Sequence, residues 1–298
     1  MKEKAILCGP ICSELGWHIL RVAPHALWKK IKQYNNQVKL IVLCREQEFD
    51  LYGKHADILV PLKIEGDFIK YKPNCFRLDG YPLENYEKII KRFNGKYNKK
   101  YQIVDHIYPK IAGKQFTQKN QFPQNQLLAK FKPRVENKKL VDKYISKDKP
   151  WVVISPRFRK GFRRNWNHWQ TFYDMIWDSD LPNRFEFIII GRSPEYKPDE
   201  KNRFFDINKI PINDNSSLIG LTISIVYNSV LTVGSQSAIP NLSLLLSTDV
   251  LEWGNQRMLH TKTYNYTNTP ITFLDDMKFN LDPKKVFNTM NKLLKKKG

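Results

Sequence analysis

Apolar runs of strand length alternate along this chain with longer segments whose apolar residues recur at helical spacing. Two of the runs, Val38 to Cys44 (VKLIVLC) and Phe185 to Gly191 (FEFIIIG), are predominantly apolar, which is typical of strands covered on both faces of a sheet. The segment from Gly16 to Lys32 repeats its apolar residues at the spacing of a helix with one buried face. This alternation predicts an α/β fold with parallel sheets.

The alternation occurs twice, which indicates two domains. The chain has 298 residues, a length that suits two domains of about 150 residues each. A polar segment, residues 115–137, contains Pro123 and Pro133 and is interpreted as a linker or an exposed excursion. We place the boundary near Lys147 to Pro150 and predict Rossmann-like domains of residues 1–147 and 148–298 that face each other across a cleft.

The charge is strongly positive. Lysine and arginine total 50 against 29 acidic residues, a formal net charge of +21. Such an excess raises the local concentration of polyanions, so nucleic acid or an anionic membrane surface is a candidate partner. The alternative is a compositional bias, because the chain is also rich in Asn, Ile and Tyr, which A/T-rich coding sequence favours.

Targeting signals and cysteines constrain the compartment. No run of 18 apolar residues occurs, and the N-terminus lacks the apolar core of a signal peptide; we therefore expect a cytoplasmic protein. The four cysteines are Cys8, Cys12, Cys44 and Cys75. No His/Cys cluster completes a metal site around them, so we expect reduced thiols and no bound metal.

A concentrated group of basic residues follows one predicted strand. The segment from Ile154 to Trp169 (ISPRFRKGFRRNWNHW) carries four arginines and one lysine just beyond the strand that begins at Trp151. Basic groups at the carboxyl end of an α/β strand are typical of anion sites. A solvated basic face is the alternative interpretation.

A second motif suits the same ligand. The turn Gly234, Ser235, Gln236, Ser237 joins the predicted strand from Val230 to Val233 to the apolar helix from Ala238 to Leu246. Backbone N–H groups and the positive end of a helix at such a turn bind phosphate. The two motifs together predict a diphosphate held from two sides. Gly191, at the end of one strand, and Glu252, at the end of another, are weaker candidates for contacts to the nucleotide, ribose or sugar.

The order of these elements resembles the donor domain of GT-B glycosyltransferases, and most closely the heptosyltransferase-like group. The matching positions are Arg157, Arg159, Lys160, Trp166 and Gly234 to Ser237. That group usually has an acidic residue before the Ser-Gly of the turn, where this chain has Val233, Gly234 and Ser235. The resemblance implies that the C-terminal domain binds a nucleotide sugar as co-substrate, with no other cofactor and no obligate protein partner.

The N-terminal segment adds a second resemblance. Glu14, Leu15, Gly16 and Trp17 look like the E-[FL]-G-W motif of some phage and bacterial glycosyltransferases of this fold. An inverting transfer needs a general base beside the acceptor hydroxyl, and Glu14 is the first candidate. His18 would orient or replace it, while capping of the following helix is the alternative role for Glu14. The acceptor side is predicted to include Gly16, Trp17 and a reserve pair after another strand, Asp105 and His106.

The predicted mechanism does not depend on a metal ion. Arginine can bind two oxygens of the leaving diphosphate at once. A metal would call for a ligand pair of the Asp-x-Asp kind, and the adjacent Asp275 and Asp276 fall in a predicted loop outside both motifs.

The sequence leaves the acceptor open. The size of the positive charge slightly favours a hydroxymethylated base in DNA, which the enzyme would have to flip out of the duplex. A surface polysaccharide or a lipid-linked glycan is the alternative, with the charge docking the protein on anionic lipid. A different class, a non-catalytic nucleic-acid-binding α/β protein, is weakened because no helix-turn-helix, zinc-finger or RNP-type signature is present.

Overall fold

The computed structural model describes residues 2–11, 16, 18–62, 83–107, 133–157, 165–191, 204–212, 217–256, 265 and 267–297. The chain divides into two compact units, Met1–Leu128 and Ala129–Gly298. This division falls before the predicted boundary near residue 147, because the helix Val135–Tyr144 packs against a helix of the second unit. Most of the predicted linker, residues 115–132, lies outside the described residues.

The first unit is built on a four-stranded parallel sheet in the order β3-β2-β1-β4. Its strands are β1 (Lys4–Ile11), β2 (Lys39–Cys44), β3 (Ile58–Pro61) and β4 (Gln102–Ile107). After β1 comes a helical segment in which helix α1 (Ala23–Trp28) lies between the π-helical turns His18–Val22 and Lys29–Gln33. A 3₁₀-helical segment (Glu46–His55) follows β2, and helix α2 (Leu83–Lys100) precedes β4.

Helix α2 covers one face of this sheet. Phe93 and Tyr97, one helical turn apart, pack against Ala5, Leu7 and Ile41 of the strands. The sequence predicted only the first part of α2, from Leu83 to Phe93, whereas the helix continues to Lys100. Tyr97 explains the extension, because its burial on the sheet repeats the contact of Phe93 at helical spacing.

The second unit contains a six-stranded parallel sheet in the order β10-β9-β8-β5-β6-β7. Its strands are β5 (Trp151–Ser155), β6 (Glu186–Ile189), β7 (Phe205–Asp206), β8 (Ser229–Ser235), β9 (Val250–Gly254) and β10 (Ile271–Asp275). Counted from β5, this is the order 3-2-1-4-5-6 of a doubly wound dinucleotide-binding sheet. The helices are α3 (Val135–Tyr144), α4 (Trp169–Trp177), α5 (Leu181–Arg184), α6 (Leu218–Asn228), α7 (Ala238–Leu246) and α8 (Pro283–Leu294).

An aromatic core lies between this sheet and the helices α4 and α8. Trp166, Trp169 and Trp253 meet there, with ring centroids 4.7 to 5.4 Å apart. The indole N–H of Trp166 donates to the carbonyl of Leu281 at 2.8 Å, so this residue is a core residue although it precedes α4. The sequence had extended that helix back to Trp166.

The predicted α/β architecture with two parallel-sheet domains is confirmed. Helix α7 has the predicted bounds. The sequence predicts a helix from Ser217 to Tyr227 and a strand from Asp249 to Trp253, so α6 and β9 each differ from prediction by one residue at each end. The edge strand β10 was not predicted, so Asp275 ends a strand and does not lie in a loop. Among the described residues, no helix is both long enough and apolar enough to cross a membrane.

Candidate functional site

The carboxyl ends of β5 and β8 lie side by side at the centre of the second sheet, and both predicted phosphate motifs start there. The two strands pair as far as Ser155 and Gly234. The strands that follow β5 lie on one side of this pair, and those that follow β8 lie on the other. In such sheets the ligand usually binds in the crevice beyond the carboxyl ends of these two central strands.

Glycine at position 234 permits this close pairing. A Cβ atom there would lie 3.0 Å from the Ser155 carbonyl oxygen and 3.1 Å from the Ser155 Cβ. Both distances are shorter than ordinary van der Waals contacts. The turn therefore begins where β5 and β8 lie in close contact, and a larger side chain at 234 would crowd Ser155.

The turn places two serine hydroxyls at the start of α7. Ser237 precedes this nine-residue helix, and its side chain makes no capping hydrogen bond. The hydroxyl oxygens of Ser235 and Ser237 are buried, with no hydrogen-bond partner among the described residues. Buried polar groups left unpaired are unfavourable, and the first N–H groups of a helix also lack intrahelical partners. A phosphate at this position would accept hydrogen bonds from both sets of groups.

Arg157 brings a positive charge to the same turn. It lies two residues after β5, is partly buried, and donates from Nη1 to the carbonyl oxygen of Gln236 at 2.6 Å. The basic segment and the serine turn are thus brought together at Arg157. The predicted donor ligands Arg159 and Lys160 lie outside the described residues.

Gln236, a predicted donor contact, forms hydrogen bonds with the chain beyond β9. Its Nε2 donates to the carbonyl oxygen of Asn255 at 3.0 Å, and its Oε1 accepts from the Asn255 backbone N–H at 3.1 Å. Its own backbone N–H donates to the carbonyl oxygen of Trp253 at 3.0 Å. Asn255 was not identified from the sequence, because it lies 19 positions from Gln236.

Gly191 stands after β6 with a backbone φ of +145°. A Cβ atom there would lie 2.2 Å from the carbonyl oxygen of Pro156, the residue before Arg157. Glycine is therefore required for the backbone to pass the end of β5. Gly191 therefore lies against the backbone that leads from β5 to Arg157.

Glu252 lies deeper than the sequence predicted. It occupies the middle of β9, which continues to Gly254 in register with β10, and it does not mark the strand end. Only 1% of its surface is exposed. Its neighbours Leu251 and Trp253 face the aromatic core, so the Glu252 side chain points to the opposite face of the sheet.

In the first unit, His18 belongs to a buried polar network. Its Nδ1 lies 3.1 Å from Glu48 Oε2, and its Nε2 lies 2.7 Å from the Tyr52 hydroxyl. The carboxylate can only accept, so Nδ1 carries a proton and donates to Glu48. Arg45 pairs with the other oxygen of Glu48. Both ring nitrogens of His18 are thus occupied inside the unit.

The ionisation of the network fits this arrangement. Burial raises the pKa of Glu48, but His18 and Arg45 outweigh that effect and hold it below its usual value. The Tyr52 hydroxyl lies 3.7 Å from Cys8 Sγ. Burial raises the pKa of the Cys8 thiol to about 12, so Cys8 stays protonated at neutral pH. Nothing local in the sequence links Glu48 or Tyr52 to His18, because they lie 30 and 34 positions from it.

The other predicted acceptor residues are placed as follows. Asp105 lies inside β4, and does not follow it; its carboxylate accepts from Lys29 Nζ at 2.5 Å and from the Tyr34 hydroxyl at 3.1 Å. His106 also lies inside β4 and is exposed. Gly16 is partly buried at the start of the helical segment, whereas Glu14 and Trp17 lie outside the described residues. Among the described residues, no group of three His, Cys, Asp or Glu side chains is arranged to hold a metal.

The fold is that of GT-B glycosyltransferases. The glycosyl transferase family 9 protein from Veillonella parvula superposes with a TM-score of 0.63 at 8% identity, over 99% of this chain and 97% of that one. The E. coli ADP-heptose LPS heptosyltransferase II gives 0.59 at 12% identity, over 100% and 99%. The E. coli heptosyltransferase WaaC with ADP gives 0.55 at 8% identity, over 97% and 99%. At such identities the likeness establishes the fold.

The chain's own sequence shows no comparable likeness to known families. No family model matches it. No curated protein matches it either. The particular function therefore has to be argued from the site.

One prediction follows from His25, which is largely buried beside Lys29. Burial, assisted by the Lys29 charge and opposed by Asp105, lowers the His25 pKa from 6.5 to about 4. The unfolded chain takes up this proton first, so the stability is fully present above pH 6.5 and is lost as the pH falls towards 4. We expect His25 to cost the first unit about 2 kcal/mol of unfolding free energy between pH 7.5 and pH 5.

Urea denaturation of the wild type and of His25→Gln at both pH values measures this contribution. The His25→Gln variant should lose less stability on acidification, while His106→Gln, at an exposed position, should behave like the wild type. Identical pH dependence of the His25 variant and the wild type would contradict the assignment.

Proposed function

We propose that this protein is a glycosyltransferase that moves a sugar from a nucleotide-sugar donor to a hydroxyl group of a glycan. The observation that carries the proposal is the contact of Arg157 with the serine turn of the second unit. This turn bears the hydroxyls of Ser235 and Ser237, which have no hydrogen-bond partner among the described residues, at the start of α7. A nucleotide sugar presents two linked phosphates, which suit a cation and a helix N-terminus. The GT-B fold supports the same donor class.

The proposed chemistry breaks the bond between the anomeric carbon and the diphosphate oxygen and forms a bond from that carbon to the acceptor oxygen. The nucleoside diphosphate leaves with the bonding electrons, and its developing charge requires neutralisation. Arg157 is suited to this task because its guanidinium stays protonated and is anchored at the turn. We therefore propose a transfer that needs neither a metal ion nor a cofactor other than the donor.

We propose Glu14 as the general base that receives the proton of the acceptor hydroxyl. The support is its place after β1 and the resemblance of residues 14–17 to the E-[FL]-G-W motif of phage and bacterial glycosyltransferases. His18 is a weaker candidate for this role because Glu48 and Tyr52 occupy its two ring nitrogens. In the proposal His18 anchors the start of the helical segment that follows Glu14.

The proposed acceptor is a surface polysaccharide or lipid-linked glycan. Two similar structures are named as heptosyltransferases, and one of these as an LPS heptosyltransferase, which favours a glycan acceptor. The comparisons lend no support to a base in DNA. Under this proposal the net charge of +21 would draw the protein to anionic lipid carrying the acceptor.

A donor and acceptor screen tests the proposal. Thermal shift and hydrolysis are measured with UDP-, GDP-, ADP- and CMP-sugars in the presence of EDTA, and then transfer to glycan acceptors and to hydroxymethylcytosine DNA. A bound donor should raise the melting temperature by mass action. We expect one donor class to stabilise the protein and a glycan to accept the sugar. Transfer to DNA would overturn the glycan acceptor in favour of DNA. Salt-sensitive DNA binding without any response to a nucleotide sugar would refute the enzyme proposal.

The Arg157→Ala variant tests the donor site. Charge-assisted hydrogen bonds contribute enough that donor affinity should fall about ten- to a hundredfold, while the protein remains folded. Titration calorimetry with the donor from the screen measures the change. Arg184→Ala removes an arginine from α5, where it pairs with Asp180, and should bind donor like the wild type. Equal donor affinity of both variants would exclude Arg157 from the site.

The Glu14→Gln variant tests the base. It keeps the size of the side chain but removes the proton acceptor, so turnover should fall by about a hundredfold or more with donor affinity little changed. Steady-state kinetics with saturating acceptor, together with donor titration, separate the two quantities. A variant as active as the wild type would remove Glu14 from the base role and favour its alternative role as a helix cap.

A further inference from the structure

Gln236 occupies a central position among three strand ends. Its side-chain amide forms two hydrogen bonds with the backbone of Asn255, just after β9, at 3.0 and 3.1 Å. Its backbone carbonyl accepts from Arg157, just after β5, at 2.6 Å. Gln236 itself follows β8 directly. One residue thus links the ends of β5, β8 and β9.

The backbone of β9 is shaped to admit this side chain. Gly254 has a φ of +152°, and a Cβ atom there would lie 2.6 Å from Gln236 Oε1 and 2.8 Å from Gln236 Cδ. Any larger residue at 254 would overlap the amide. The glycine at 254 and the glutamine at 236 therefore form a matched pair, although they are far apart in the sequence.

These bonds hold the parts of the site that would contact phosphate. Ser235 and Ser237 flank Gln236, so fixing Gln236 to Asn255 also restrains the backbone that carries both hydroxyls. The carbonyl of Gln236 in turn holds the Arg157 guanidinium at the turn. Hydrogen-bond donors that are already held in place bind an anion more tightly, because no conformational entropy is lost in ordering them on binding.

We propose that Gln236 is a positioning residue, which does not bind the donor through its side chain but aligns Arg157 and the serine turn for the donor diphosphate. This inference rests on the proposed function. The sequence predicts Gln236 as a ligand of the diphosphate. The inference gives it a different role, because the oxygen and the nitrogen of its side-chain amide both bond to Asn255.

Inorganic pyrophosphate is the probe for this inference, titrated at a temperature where every variant is folded. Gln236→Met keeps the volume but removes both bonds to Asn255, and should weaken pyrophosphate binding about tenfold. Gln170→Met, on the exposed side of α4, is the matched control and should bind like the wild type.

A double-mutant cycle separates positioning from a general structural effect. If Gln236 acts through Arg157, Gln236→Met should weaken binding much less in the Arg157→Ala background than in the wild type. The same fold-change in both backgrounds, or a lower melting temperature with unchanged pyrophosphate affinity, would overturn the inference.

The wild-type titration distinguishes this inference from the proposed function. A wild type that binds pyrophosphate as tightly as Gln236→Met overturns the positioning role and leaves the donor site intact. A wild type that binds neither pyrophosphate nor any nucleotide sugar overturns the proposed function, and the positioning role with it.

Discussion

The pairing of β5 with β8 is the constraint on which the second unit and its site depend. These strands lie at the centre of the sheet, and their pairing brings Arg157 to Gln236, 79 positions along the chain. Gly234 allows the two strands to lie close together where they end, since a Cβ atom there would crowd Ser155. The fold thus builds the proposed anion site from two segments that each look incomplete by themselves.

The first unit organises its polar groups differently. A chain of hydrogen bonds in the interior runs through Arg45, Glu48, His18 and Tyr52. Each side chain in it provides a hydrogen-bond partner for the next. Buried charges of this kind are tolerated only when they are paired. The network ties the helical segment after β1 to the 3₁₀-helical segment after β2. It is a structural device that a lone histidine in the sequence did not reveal.

The predictable parts of this protein are those encoded in short stretches of sequence. Helix α7 and the serine turn before it were predicted because apolar periodicity and small residues mark them locally. The role of Gln236 was not predictable, since its partner Asn255 is brought near only by the pairing of β8 with β9. Strand β10 was missed because its residues are only half-buried at a sheet edge, which weakens the apolar signal.

The cluster of Trp166, Trp169 and Trp253 has an optical consequence. Indole rings with centroids about 5 Å apart, held rigidly in a chiral environment, couple electronically and should give the second unit a strong near-ultraviolet circular dichroism signal. Trp166 lies within the basic segment in sequence, two residues after its last arginine, Arg164. Trp253 belongs to the strand to which Gln236 is bonded. The protein therefore contains its own spectroscopic reporter of order around the proposed anion site, without any added label.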